Sequence, residues 1–149
     1  MNYYINNNGQ AKVITVKNST LAKKIEKDMI YCISKTMEIS ACHNLKLSYE
    51  SKCSRLHGHN WEVTVYCAAT ELNADGMVID FKHVKELIHG RLDHGNLNEL
   101  LPFNPTAENI AAWIVREVKP CYKALVKESY GNVAMATDDT FPIDQRYLI

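Results

Sequence analysis

Residues 29–45, MIYCISKTMEISACHNL, decide how the rest of the protein is read. Along them Tyr31, Ile33, Lys35, Met37 and Ile39 fall on one side, and Cys32, Ser34, Thr36 and Glu38 on the other. A period of two is that of a strand, whose successive side chains leave opposite faces. Residues 60–72, NWEVTVYCAATEL, repeat the pattern, with Trp61, Val63, Val65 and Cys67 on one face. The loop holding Lys52 and Cys53 is expected to join the two as an antiparallel pair.

Downstream the period changes. Residues 74–81, ADGMVIDF, carry a turn signal at Asp75-Gly76 and then a short extended run, with Asp80 as a turn or helix-cap residue. In FKHVKELIHGRL, Phe81, Val84, Leu87 and Ile88 take helical spacing, and a stop is expected near Gly90. His83 and His89 fall off that stripe and are expected in solvent. A second helix is signalled in NPTAENIAAWI: Asn104 as N-cap, Pro105 at the first position, and Glu108 where the helix dipole favours an acid. Its buried stripe is Ile110, Trp113, Ile114 and Val118, and Pro120 limits its length. Residues 131–141, GNVAMATDDTF, read as a final strand running into an irregular end. Two strands, a short strand, two helices and a strand argue an α+β domain, an antiparallel sheet with helices on one face. It spans residues 29–149, behind an N-terminal extension of residues 1–28 with a weak helical pattern in STLAKKIEKD.

Seventeen basic residues balance seventeen acidic ones in 149, with 46% hydrophobic and 23% charged. That composition fits one globular domain and points to neither nucleic acid nor a membrane as partner. The N-terminus has neither the layout of a secretory signal nor an apolar run long enough to span a bilayer, so a cytoplasmic location is expected. Five cysteines without a regular framework are expected to be mostly reduced thiols, with Cys32 and Cys67 in the core.

The chemistry concentrates in residues 53–61, CSRLHGHNW. If this segment is extended, His57 and His59 leave the same face, and Gly58 between them allows close backbone approach. Two parallel imidazoles suit a tetrahedral metal, and His43, at the end of the preceding strand, is the best third ligand. Three histidines leave a fourth position open, as catalytic zinc requires. Two other readings stand beside this: surface histidines where a strand begins, or a closed structural site with Cys53 as fourth ligand.

EISACHNL, CSRLHGHNW, GMVIDF, RLDHGNLNEL and NPTAENIAAWI together, from about Met29 to Thr137, resemble the 6-pyruvoyl-tetrahydropterin synthase family in order and approximate spacing. The short gap from Cys53 to His57 resembles the bacterial 6-carboxy-tetrahydropterin synthase branch of queuosine biosynthesis. The resemblance implies a T-fold (tunnelling fold): a four-stranded antiparallel sheet with two helices on one face, assembled edge to edge into trimers that stack as a homohexamer. It implies Zn2+ on His43, His57 and His59, Cys53 as catalytic base, and Asp93-His94 as a proton-shuttling dyad. It places Glu108 near the pterin. The dyad and Glu108 are the residues it offers for action across a subunit interface.

The implied reaction takes 7,8-dihydroneopterin triphosphate to 6-carboxy-5,6,7,8-tetrahydropterin with loss of acetaldehyde and triphosphate. The alternatives are triphosphate elimination to 6-pyruvoyl-tetrahydropterin, or a non-catalytic pterin-binding protein on the same fold. The family also carries a glutamate, in a Val-x-Val-x-Glu-Thr-like pattern on the last strand, that holds the pterin's 2-amino and ring N–H groups. Aligning that pattern with NVAMAT puts Ala136 at the substrate-binding carboxylate's place. A methyl group accepts no hydrogen bond, so the expectation is an impaired variant, with three accounts open: drift to another ligand, an engineered Glu→Ala change, or, ranked below these, substitution by Asp138.

Overall fold

The first strand expected from the alternation forms over Tyr31–His43, the second over His57–Ala69. They pair antiparallel along their whole length, from Tyr31 opposite Ala69 to His43 opposite His57. The computed structural model of the protein describes residues 3–5, 11–13 and 29–149. In sequence order the elements are β1 (Tyr3–Ile5), β2 (Ala11–Val13), β3 (Tyr31–His43), β4 (His57–Ala69), α1 (Phe81–Leu92), α2 (Leu97–Leu100), α3 (Ala107–Glu117), β5 (Cys121–Ser129) and β6 (Asn132–Thr137). Strands β3-β4-β5-β6 make one four-stranded antiparallel sheet in that order, and β1 and β2 a separate two-stranded one. The helical pattern at residues 19–28 lies outside the described residues.

One face of the large sheet is apolar and covered by helices. Met37, Ile39, Trp61, Val63, Val65, Ala124 and Val126 pack there against Val84, Ile88 and Leu92 of α1 and Ile110, Ala111, Ile114 and Val115 of α3. Burying each large aliphatic residue contributes roughly 1.5–3 kcal/mol, so this layer dominates the stability. The other face is polar, with Thr36 bonded to Thr64 at 2.9 Å, Ser40 to Asn60 at 3.1 Å, and Lys127 3.8 Å from Glu62. Arg91 ties the two long helices together, 3.2 Å from Glu117 and 5.0 Å above the Trp113 ring.

Four local expectations are corrected. The extended run after Gly76 is no strand: Val78 and Ile79 pack against the core as an irregular segment that ends in Asp80, which caps α1 through Lys82 N–H. Helix α1 continues through Gly90, because Leu92 supplies the next buried position after Val84 and Ile88. The N-cap of α3 is Thr106, not Asn104. The Asn104 side chain instead accepts from Lys46 N–H at 2.9 Å and donates to the Lys46 carbonyl at 3.1 Å, pinning the loop that follows β3. Finally, the fourth strand is β5, which was not expected; its alternation is broken where the register with β4 shifts between Tyr66 and Cys67.

Candidate metal centre and its surroundings

The register of β3 and β4 places His43 directly opposite His57, with His59 two residues on. All three imidazoles lie on the helix-covered face, and one nitrogen from each comes within 4.8 Å of the others. The remaining ring nitrogens of two of them are anchored by backbone carbonyls. His43 Nδ1–H donates to Pro105 O at 2.8 Å, and His57 Nδ1–H to Arg55 O at 2.7 Å. Each anchor leaves the Nε2 lone pair for the cluster, as carbonyl partners commonly orient metal-binding histidines.

His43 is fully buried, and His43 Nε2 and His59 Nε2 have no hydrogen-bond partner among the described residues. An orphaned buried polar atom costs about 1–3 kcal/mol. Burial first, and then the neighbouring imidazoles His57 and His59, hold His43 below its ordinary pKa, against the raising effects of Pro105 and Glu128. A neutral ring is the form that binds a metal. Orphaned, inward-facing and with at least one ring held neutral, these nitrogens fit a divalent metal with imidazole preference.

Cys53 does not belong to this group. It sits exposed on a 3-10 turn, Lys52–Ser54, whose Cys53 carbonyl accepts from Leu45 N–H at 2.8 Å. That bond hitches the turn to the backbone two residues past His43.

Asp93 and His94 follow α1 on a segment laced to β3. Ser40 N–H donates to Asp93 Oδ1 at 2.9 Å, His94 N–H to Ser40 O at 2.6 Å, and Cys42 N–H to Gly95 O at 3.0 Å. The Ser40 amide, then the His94 ring, hold the Asp93 carboxyl below the usual carboxylate range. His94 Nδ1–H donates to Asp93 Oδ2 at 2.8 Å, and His89 Nε2 is 3.5 Å from the same oxygen. His89 is therefore half-buried beside a carboxylate and not solvated as expected, whereas His83 is exposed. His94 has φ 57°, a left-handed conformation that turns its ring outward, and with His59 it lines a cleft of about 400 Å³.

Glu108 is exposed in the first turn of α3. Ala136 lies opposite Ala124 in the β5–β6 ladder, half-buried against the core. Asp138 spends its side chain on Thr140, whose hydroxyl and amide hold its pKa down. Neither Ala136 nor Asp138 is near the imidazoles. Glu128 is: its Oε1 lies 3.5 Å from His43 Nε2 and 3.8 Å from His59 Nε2. It continues the inward series Ala124, Val126 of β5. The signal for it was an acid at an inward strand position, hidden because the strand itself was not expected.

Residues 32–136 match the protein family described as 6-pyruvoyl tetrahydropterin synthase. A Bacillus subtilis protein named 6-carboxy-5,6,7,8-tetrahydropterin synthase is 35% identical over 94 residues, 58% of this protein and 64% of that one. The match thus spans just under two thirds of that relative's length. A Synechocystis protein of the same name is 38% identical over 99 residues, 60% of this protein and 76% of its own. Among solved structures, Caenorhabditis elegans 6-pyruvoyl tetrahydropterin synthase superposes with a TM-score of 0.60 at 25% identity, covering 74% of this protein and 96% of that one.

Proposed function

The chain belongs to the 6-pyruvoyl tetrahydropterin synthase family, and from that premise we propose that it is a zinc-dependent lyase. It converts 7,8-dihydroneopterin triphosphate to 6-carboxy-5,6,7,8-tetrahydropterin with release of acetaldehyde and triphosphate, a step of queuosine and 7-deazaguanine synthesis in the cytoplasm. The observation that carries this reading is the set of three imidazoles, two of them with a buried nitrogen unpartnered among the described residues, on the fold of the Caenorhabditis elegans 6-pyruvoyl tetrahydropterin synthase.

Zinc held by His43, His57 and His59 supplies Lewis acidity toward the hydroxyls of the substrate's three-carbon arm. The protein's own groups supply the proton transfers. Cys53, exposed on its turn, is the base for the C–H beside those hydroxyls. Asp93 accepts from His94 Nδ1–H, which leaves Nε2 to take or give the second proton. Cys53 does not line the cleft that His94 lines, and a site completed by the dyad of a second copy accounts for that separation.

The carboxylate expected to hold the pterin's 2-amino and ring N–H groups is Glu128 rather than position 136. Val126, Glu128 and Ser129 match the family's pattern of valine, glutamate and hydroxyl residue, and Ala136 stands one strand over and about four residues (~13 Å) along. Glu108 is a second acid available to a neighbouring subunit's pterin. Strands β3 and β6 end the sheet, and β6 exposes Val133 and Met135 at 61% and 62%. Apolar edge strands favour pairing with another copy, here in a homohexamer.

The test incubates the zinc-loaded protein with dihydroneopterin triphosphate. Acetaldehyde and 6-carboxytetrahydropterin are expected. A 6-pyruvoyl product without acetaldehyde would support the elimination reaction instead, and saturable pterin binding with no product a binding protein.

A further inference from the structure

We propose that Glu128 is the fourth ligand of the metal while no substrate is bound, closing the tri-histidine site that the pterin must open. This rests on the reading of His43, His57 and His59 as metal ligands. Four ligands at about 2.0–2.1 Å around a tetrahedral ion stand about 3.3–3.4 Å apart. Glu128 Oε1, at 3.5 Å from His43 Nε2 and 3.8 Å from His59 Nε2, is close to that spacing from both; it stands outside the group that the three imidazole nitrogens make with one another, so closing the site takes a movement of the carboxylate toward His57. Among the described residues those nitrogens are the two buried side-chain nitrogen or oxygen atoms with no hydrogen-bond partner, and the Glu128 carboxylate lies within 4 Å of both.

The fold gives the carboxylate little else to do. Its strand neighbours on the inward face, Ala124 and Val126, are fully buried, whereas the Glu128 side chain is 26% exposed, at the lip of the core. An acid placed there needs a positive partner on the core side or a ligand on the solvent side. A resident metal supplies the first and a pterin's N–H groups the second, from opposite sides of the carboxylate. Arrival of a pterin would draw the carboxylate outward and vacate a coordination position as the substrate's hydroxyls reach it. Glu128 would thus guard the metal from stray anions and link ring recognition to metal access.

The experiment measures Zn2+ affinity by chelator competition and the visible spectrum of the Co2+ form, for the wild type, Glu128→Gln and Glu128→Asp. Gln is isosteric and preserves the fold, which circular dichroism checks. Zinc affinity should fall about tenfold or more in Glu128→Gln, with an altered cobalt spectrum, and Glu128→Asp should lie between. Equal affinity and identical cobalt spectra in the wild type and Glu128→Gln would overturn the proposal. So would an intense sulfur-to-cobalt charge-transfer band, which assigns the fourth position to Cys53. None of these readouts needs turnover. An inactive protein whose zinc binding depends on Glu128 would sink the lyase reading and keep this one; an active protein whose zinc binding is indifferent to Glu128 would do the reverse.

Discussion

His43 and Pro105 meet across 62 positions of sequence, the imidazole Nδ1–H donating to the Pro105 carbonyl at 2.8 Å. That bond selects the tautomer and aims Nε2 at the other two imidazoles. It comes from the segment leading into α3, so the helix layer sets the orientation of an imidazole that a strand carries.

Zinc should stabilise the protein directly. At a free concentration a hundredfold above Kd, binding to the folded state alone adds about 2.7 kcal/mol, a rise of about 5–10 °C in Tm for a domain of this size. In His43→Asn the rise should largely disappear, and differential scanning calorimetry with and without zinc reads it. An equal rise in both proteins would place the metal elsewhere.

Without metal, stability should fall on mild acidification. The unfolded protein binds a proton at His43 near pH 6.5, whereas in the folded protein burial lowers that pKa. The contribution is therefore complete above about pH 6.5 and is lost as pH falls through the lower, folded value. Guanidinium midpoints of the chelator-treated protein at several pH values between about 7.5 and 5 should show this slope, and His43→Gln should flatten it. A slope unchanged by the substitution would assign it to other groups.

Cys53→Ser should separate chemistry from metal binding. The residue is exposed and lies outside the imidazole group, so fold and zinc stoichiometry should stay as they are. Loss of a general base lowers turnover by about 10²–10⁴. Product formation at the wild-type rate would exclude the thiol as base.

His94→Gly should expose a cost held at the dyad. A non-glycine residue at φ 57° costs roughly 1–2 kcal/mol, part of which glycine returns as extra freedom in the unfolded state. The expected result is a Tm unchanged or slightly raised with turnover reduced at least about a hundredfold. A clear fall in Tm would mean that the His94 ring contributes more to stability than its backbone costs.

Ala136→Glu should not improve pterin affinity. The position packs half-buried against the core opposite Ala124. A carboxylate there loses water without gaining a partner, at a cost of about 1–3 kcal/mol. Isothermal titration with a pterin, beside a thermal melt, checks both halves; tighter binding would return position 136 to the substrate site.

What the sequence determined by itself was whatever local periodicity encodes. The alternation of β3 and β4 chose their faces, the i, i+4 positions Val84 and Ile88 chose the buried side of α1, and the two-residue step from His57 to His59 put both rings on one face. The direction in which a residue points depends on neighbours a few positions away, so these features needed no tertiary information. Tertiary structure decided what depends on partners far along the sequence. Asn104 has every local property of a helix cap, yet Lys46, 58 positions away, claims its side chain and leaves the cap to Thr106. Cys121–Ser129 became a central strand because β4 and β6 flank it, despite the register shift that breaks its pattern. With that strand in place Glu128, and not Ala136, meets the imidazoles, since strand pairing and not sequence pattern sets which distant residues share one end of a sheet.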